Sequence, residues 1–138
     1  MTGEPGARIR GVLETSVYVD DLEVAAEFYS DVLGLEMLSR AAGRHVFFRC
    51  GNGVLLLFDP VETLLPGGDV PPHGAQGPGH VAFSIEPGDL AVWEGKLRER
   101  GVELERVVQW PRGGTSLYLR DPSGNSLELT TPDIWGLE

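Results

Sequence analysis

Three residues of this 138-residue chain have types and positions suited to holding a divalent cation: Glu14, His80 and Glu128. Two of them open segments built to the same plan. Glu14-Thr15-Ser16-Val17-Tyr18-Val19-Asp20-Asp21-Leu22 runs from an alternating strand into a helix. His80-Val81-Ala82-Phe83-Ser84-Ile85-Glu86-Pro87-Gly88-Asp89-Leu90 repeats that plan with one extra turn residue. The third lies in Asp121-Pro122-Ser123-Gly124-Asn125-Ser126-Leu127-Glu128-Leu129, at the end of the second copy. One imidazole and two carboxylates suit Mn, Fe, Co, Ni, Zn or Mg without choosing among them. The residues alone leave a plainer reading open, because a strand glutamate commonly faces solvent and a lone histidine is commonly a hydrogen-bonded filler.

The elements that must hold these residues follow from hydrophobic periodicity. Residues 1–10 carry Gly3, Pro5 and Gly6 and predict a loose start. From Gly11 to Val19, Val17 and Val19 alternate with Ser16 and Tyr18, so Glu14, Ser16 and Tyr18 share one face of a strand. Asp20 is placed to cap the helix that follows, with Glu23 three residues on. Leu22, Ala25, Ala26, Tyr29, Val32 and Leu33 recur at helical spacing before Gly34 stops it. Residues 35–58 read as three strands, the last two joined by a turn at Cys50-Gly51-Asn52-Gly53. Module one is therefore bounded at 9–59, followed by a Pro/Gly-rich linker or lid at 60–79. Module two, 80–131, repeats the order: a strand from His80 to Ile85, a helix capped near Asp89 and closed by Gly101, and strands around Val102–Trp110, Ser116–Arg120 and Asn125–Thr130. A tail covers 132–138, in which Trp135 is expected to pack onto the body or onto a partner.

Composition narrows the partners. With 41% hydrophobic residues the chain is long enough for one compact unit containing both modules. A net charge of -10, with the eleven basic residues scattered, makes nucleic acid and anionic membranes poor partners and a small molecule the expected one. No apolar run approaches membrane-span length and no basic-then-apolar start is present, which predicts a cytoplasmic protein. The single cysteine, Cys50, excludes an internal disulfide and a thiolate zinc knuckle, and is expected to be packing.

The quoted segments resemble the vicinal oxygen chelate superfamily, also called the glyoxalase, bleomycin-resistance and dioxygenase fold. The resemblance is carried by Val19-Asp20-Asp21-Leu22, Phe28-Tyr29, Val32-Leu33-Gly34-Leu35, Gly79-His80-Val81-Ala82-Phe83 and Tyr118-Leu119-Arg120-Asp121-Pro122-Ser123-Gly124-Asn125 with Leu127-Glu128-Leu129. It implies an α+β fold of two βαβββ modules, each a half-barrel, around a central cleft, paired within one chain or exchanged across a homodimer. Carried over by position, the metal ligands fall on Glu14, His80 and Glu128, and the remaining equivalent falls on Leu57, which cannot bind metal. Strand parity agrees: Val17, Val19, Val81, Phe83, Ile85, Leu127 and Leu129 form the helix-facing sides, which leaves the three ligands on the concave side.

The implied chemistry is stabilisation of an oxyanion, with Glu128 as ligand and base. Tyr118 matches a substrate-facing tyrosine of fosfomycin-resistance thiol transferases. Ser16, Tyr18, His45, Phe47 and Ser116 are expected on the concave faces, with Trp110 and Arg112 bordering the pocket and His73 exposed in the linker. The expected function is a glyoxalase-like metal-dependent enzyme working by isomerase, lyase or thiol-transferase chemistry on a small oxygenated substrate. A metal-free drug- or metabolite-binding protein and a dioxygenase are the alternatives. Leu57 departs from the four-ligand glyoxalases, and Glu14 stands where extradiol dioxygenases carry a histidine.

Overall fold

Residues 6–137 are described by a computed structural model; of the loose start expected over residues 1–10, residues 1–5 lie outside the described residues, as does the final Glu138. The first module begins with β1 (Glu14–Tyr18), three residues later than the apolar pattern from Gly11 suggested. Helix α1 (Leu22–Glu27) runs directly into a π-helical turn, Phe28–Val32. Strands β2 (Glu36–Ala41), β3 (His45–Cys50) and β4 (Gly53–Phe58) complete a sheet of order β1-β4-β3-β2, with β1 parallel to β4 and the others antiparallel. The linker is mostly irregular but opens with a single helical turn, α2 (Pro60–Thr63), capped by Asp59.

The second module repeats the order with β5 (His80–Ser84), α3 (Leu90–Glu99), β6 (Arg106–Gln109), β7 (Thr115–Arg120) and β8 (Ser126–Thr130) in the sheet order β5-β8-β7-β6. Both modules are therefore βαβββ units, as the repeat predicted. Gly34 and Gly101 end their helices at φ of 72° and 71°, a left-handed conformation that favours glycine. Among the described residues no helix is long and apolar enough to cross a membrane.

Three local expectations are corrected. The cap of α1 is Asp21, whose Oδ1 accepts from Val24 N at 3.1 Å, and not Asp20. Asp20 instead uses its backbone N–H to hold Ser123 Oγ in the other module, and Glu23 pairs with Arg40. Trp135 ends a short 3-10 turn and is 80% exposed, which corrects the packing onto the body and leaves the packing onto a partner as the expectation. His73 is half-buried, not exposed, because Tyr18 draws the linker down through a 2.6 Å contact between its hydroxyl and His73 Nδ1.

One apolar cluster spans both modules on the helix-facing sides of the sheets. Val17, Val19, Tyr29, Phe48 and Leu57 meet Phe83, Leu97, Leu117, Leu127 and Leu129 there. Burying each large side chain contributes about 1.5–3 kcal/mol, so the modules fold as partners. A polar clamp fixes their relation. Asp121, 4% exposed, accepts from Tyr29 OH at 2.7 Å, from the backbone N–H groups of Ser123 and Asn125, and from Asn125 Nδ2. Asn125 Nδ2 also donates to Tyr18 O, and its Oδ1 accepts from Gly79 N at 2.7 Å. Burial and the neighbouring Asp121 carboxylate push the Tyr29 hydroxyl pKa up, so it stays a donor at every working pH.

Removing the carboxylate strands four donors at once. Asp121→Ala is expected to cost about 3–5 kcal/mol in urea unfolding, through desolvated, unpaired groups. A loss under about 1 kcal/mol would show that the clamp is not what joins the modules.

Candidate functional site

Period-two alternation decides which strand residues leave the core. In module one the residues facing away from the helices are Glu14, Ser16 and Tyr18 on β1, opposite Val54, Leu56 and Phe58 on β4. In module two they are His80, Ala82 and Ser84 on β5, opposite Ser126, Glu128 and Thr130 on β8. The two registers superimpose, pairing Glu14 with His80 and Leu56 with Glu128. The position equivalent to Glu128 is thus Leu56 and not Leu57. Leu57 is 0% exposed on the opposite face, since one residue of displacement moves a side chain across the sheet. The substance of the expectation survives, because Leu56 also offers no metal ligand.

The expected site residues fall into two groups. Glu14, Ser16, Tyr18, His45 and Phe47 all line one groove on module one, a cleft of about 1180 Å³ roofed by linker residues 68–73. His80, Ser116, Tyr118 and Glu128 gather on module two, with Trp110 at their edge. The first groove is not lined by His80, Tyr118 or Glu128. Among the described residues no group of three or more His, Cys, Asp or Glu side chains comes close enough to hold a metal ion. Within one chain Glu14 is therefore not brought to the other two candidate ligands. Arg112 is exposed on the loop between β6 and β7.

The module-two group is the better defined. Glu128 is 6% exposed, yet one carboxylate oxygen, Oε1, lies 3.3 Å from His80 Nε2. The other, Oε2, accepts from Ser116 Oγ at 2.5 Å. Ser116 is itself held by Trp110 Nε1–H at 2.8 Å and lies 2.9 Å from Thr130 Oγ1. His80 Nδ1 donates to Ser126 O at 2.9 Å. With Nδ1 donating to Ser126 O, Nε2 is the ring nitrogen that faces the Glu128 carboxylate, and when His80 is neutral it presents a lone pair there. Two lone pairs at 3.3 Å repel unless something positive sits with them, either a proton or a cation. His80 Nε2 and Glu128 Oε1 are thus two donors of the type a divalent ion uses, each held by a supporting bond.

Tyr118 pairs directly with Glu128 across β7 and β8, and its ring stacks beside His80 at 6.5 Å between centroids. Burial first, then the Glu128 charge, raise its hydroxyl pKa, which keeps the proton available for donation. Burial also raises the Cys50 thiol, consistent with packing and not nucleophilic chemistry.

Two parts of the groove were not anticipated from sequence. Arg44 lines it half-buried, donating from one guanidinium N–H to His45 Nδ1 at 2.6 Å. Phe58 forms its aromatic floor. Arg44 follows a short Ala-Gly turn and carries no periodic signal, whereas Phe58 shares the parity of Val54 and could have been found from it.

The family model described as "Glyoxalase/Bleomycin resistance protein/Dioxygenase superfamily" matches residues 11–129. A metallothiol transferase FosB from Bacillus licheniformis is 31% identical over 129 residues, covering 93% of this chain and 79% of that protein. A probable lactoylglutathione lyase from Synechocystis sp. is 27% identical, covering 86% of this chain and 92% of its own length. Among solved structures, the crystal structure of lactoylglutathione lyase from Agrobacterium tumefaciens aligns with a TM-score of 0.91 at 40% identity, over 95% of this chain and all (100%) of that one.

Proposed function

Since this chain belongs to the glyoxalase/bleomycin resistance protein/dioxygenase superfamily, we propose that it is a metal-dependent enzyme. It acts on a small oxygenated substrate by lyase, isomerase or thiol-transfer chemistry. The observation that carries the reading is the approach of His80 Nε2 to Glu128 Oε1 at 3.3 Å, with the imidazole proton already committed to Ser126 O. The similarity to proteins named metallothiol transferase and lactoylglutathione lyase supports the same class.

The ligands are His80 and Glu128 from one chain and Glu14 from a second copy. Glu14 and His80 are both exposed on their strands, so a homodimer in which module one of each copy faces module two of the other unites them. A divalent ion held there supplies Lewis-acid stabilisation of negative charge developing on a substrate oxygen. The chain's own residues do the rest. Ser116 holds Glu128 from behind, which leaves Oε1 free to bind the ion or take a proton from the substrate. Tyr118, with its hydroxyl kept protonated, donates to a substrate oxygen. Ser16, Tyr18, His45 and Phe47 form the opposite wall, and Trp110 anchors Ser116 while bordering the entrance. Arg112 is free to meet a charged substrate at the rim.

Elemental analysis of untagged protein, before and after chelation and reloading, tests this reading together with His80→Ala. Near-stoichiometric metal is expected in the parent and none in the variant. At a metal concentration a hundredfold above Kd, reloading should stabilise the parent by about 2.7 kcal/mol, visible as a rise in Tm. Absence of metal, with Tm unmoved by any divalent ion, would favour a metal-free binding protein instead.

A further inference from the structure

Arg44 is a half-buried guanidinium in a chain with a net charge of -10, yet among the described residues no carboxylate pairs with it. Its side-chain hydrogen bond goes to neutral His45, and its Cζ lies 5.5 Å from the centroid of the Phe58 ring. A guanidinium has five N–H donors in a planar fork that matches a carboxylate. Among the described residues no buried side-chain donor lacks a partner, so the N–H groups that His45 does not take are open to the groove, where a ligand can meet them.

The surroundings say what kind of ligand. His45 stacks on Phe47 with centroids 4.0 Å apart and planes 8° from parallel. Phe47 meets Phe58 edge to face at 5.6 Å. Because His45 Nδ1 accepts from Arg44, its proton is on Nε2, giving a second neutral donor beside the guanidinium. Burial, then the Arg44 charge, lower the His45 pKa and hold it in that form.

We propose that this groove receives a monoanionic aromatic carboxylate, with its carboxylate on Arg44 and His45 and its ring against Phe47 and Phe58. The direction of the strands sets the ligand's length. His45 pairs with Phe58, and Phe58 with Tyr18, at the end of β1 opposite Glu14. Four residues at about 3.3 Å each separate those ends by about 13 Å. One ring with a short oxygenated arm spans from Arg44 to the Glu14 end. This inference rests on the enzymatic reading for what lies at the Glu14 end, but not for the anion site itself.

Calorimetric titration of untagged, chelator-treated protein with phenylacetate, acetate and phenylacetamide tests it. Phenylacetate is expected to bind at least tenfold more tightly than either the ringless acid or the neutral amide. Arg44→Gln is expected to raise its Kd at least tenfold, or about 1.4 kcal/mol. His80→Ala should leave that Kd unchanged, and Arg44→Gln should keep its metal on reloading. Equal affinity for the amide, no saturable binding of phenylacetate, or a folded Arg44→Gln protein with unchanged Kd would each overturn the proposal. The comparison of three ligands on the parent protein stands whether or not the variant folds. Failure of the metal reading shows separately, as protein that binds phenylacetate through Arg44 yet never takes up an ion.

Discussion

Two inactive variants are expected to rescue one another. Glu14→Gln and His80→Ala, each prepared alone at a metal concentration that just fills the parent, should be empty. Co-expressed or refolded together, they should recover roughly a quarter of the parent's metal, a figure set by the symmetry of a dimer with two shared sites. Half of the randomly formed dimers pair one variant with the other. In each such dimer one site inherits both substitutions, while the other inherits Glu14 from the His80→Ala chain and His80 from the Glu14→Gln chain. A site built within one chain predicts a different result, because every chain in the mixture would carry a broken site and the mixture would stay empty. The geometry that motivates the experiment is specific. Glu14 lines a groove on module one, His80 and Glu128 converge on module two, and no three candidate ligands meet within the described chain. Both strands carry their ligand on an exposed face that a second copy would cover. Metal recovered near a quarter of parental occupancy establishes sharing, and occupancy no higher than in the separate variants refutes it.

The fold was legible because two different periodicities repeat in the same order. The alternation around Val17 and Val19, the helical spacing from Leu22 to Leu33 and the stop at Gly34 recur as Val81 and Phe83, Leu90 to Leu97 and Gly101, and all of these lie where the patterns placed them. Capping was less legible. Asp20 and Asp21 are adjacent and chemically alike, and the cap falls on Asp21 because it is the extended residue just before Leu22 and its Oδ1 reaches Val24 N. The Leu56 and Leu57 ambiguity has the same character. In Val54-Leu55-Leu56-Leu57-Phe58 every residue is apolar, so no alternation marks which side faces the helices, and only pairing with Ser16 and Val17 fixes the register. Site residues with a polar type on an otherwise apolar strand, such as Glu128 between Leu127 and Leu129, announced themselves. Arg44 did not, since a basic residue after a turn reads as solvated surface until the fold places it over Phe58. Nor did His73, whose half-buried position depends on a bond to Tyr18 from 55 residues away. Local chemistry was readable, and contacts at long sequence separation were not.

Glu128→Gln is expected to lower turnover by about a thousandfold or more while the protein stays folded, within the range attributed to a lost acid–base group. The substitution is nearly isosteric and the site accommodates it. Ser116 Oγ–H continues to donate to the side-chain oxygen, and the new amide N–H₂ turns toward His80 Nε2, which the carboxylate now faces at 3.3 Å. That arrangement satisfies every buried polar atom, so unfolding free energy should change by no more than about 1 kcal/mol. It also removes the anionic ligand and the base together, and engages the imidazole electrons that a cation needs. Ser116→Ala separates positioning from chemistry. It keeps the carboxylate but frees Oε2 and leaves Trp110 Nε1–H without its acceptor. Its expected cost is about 10- to 100-fold in metal affinity or activity, the usual scale for a group that orients a ligand. Glu128→Gln with full activity and parental metal content would make Glu128 a structural residue. A Ser116→Ala loss equal to that of Glu128→Gln would mean that the carboxylate works only when it is held, and that the bond from Ser116 is as necessary as the charge it orients.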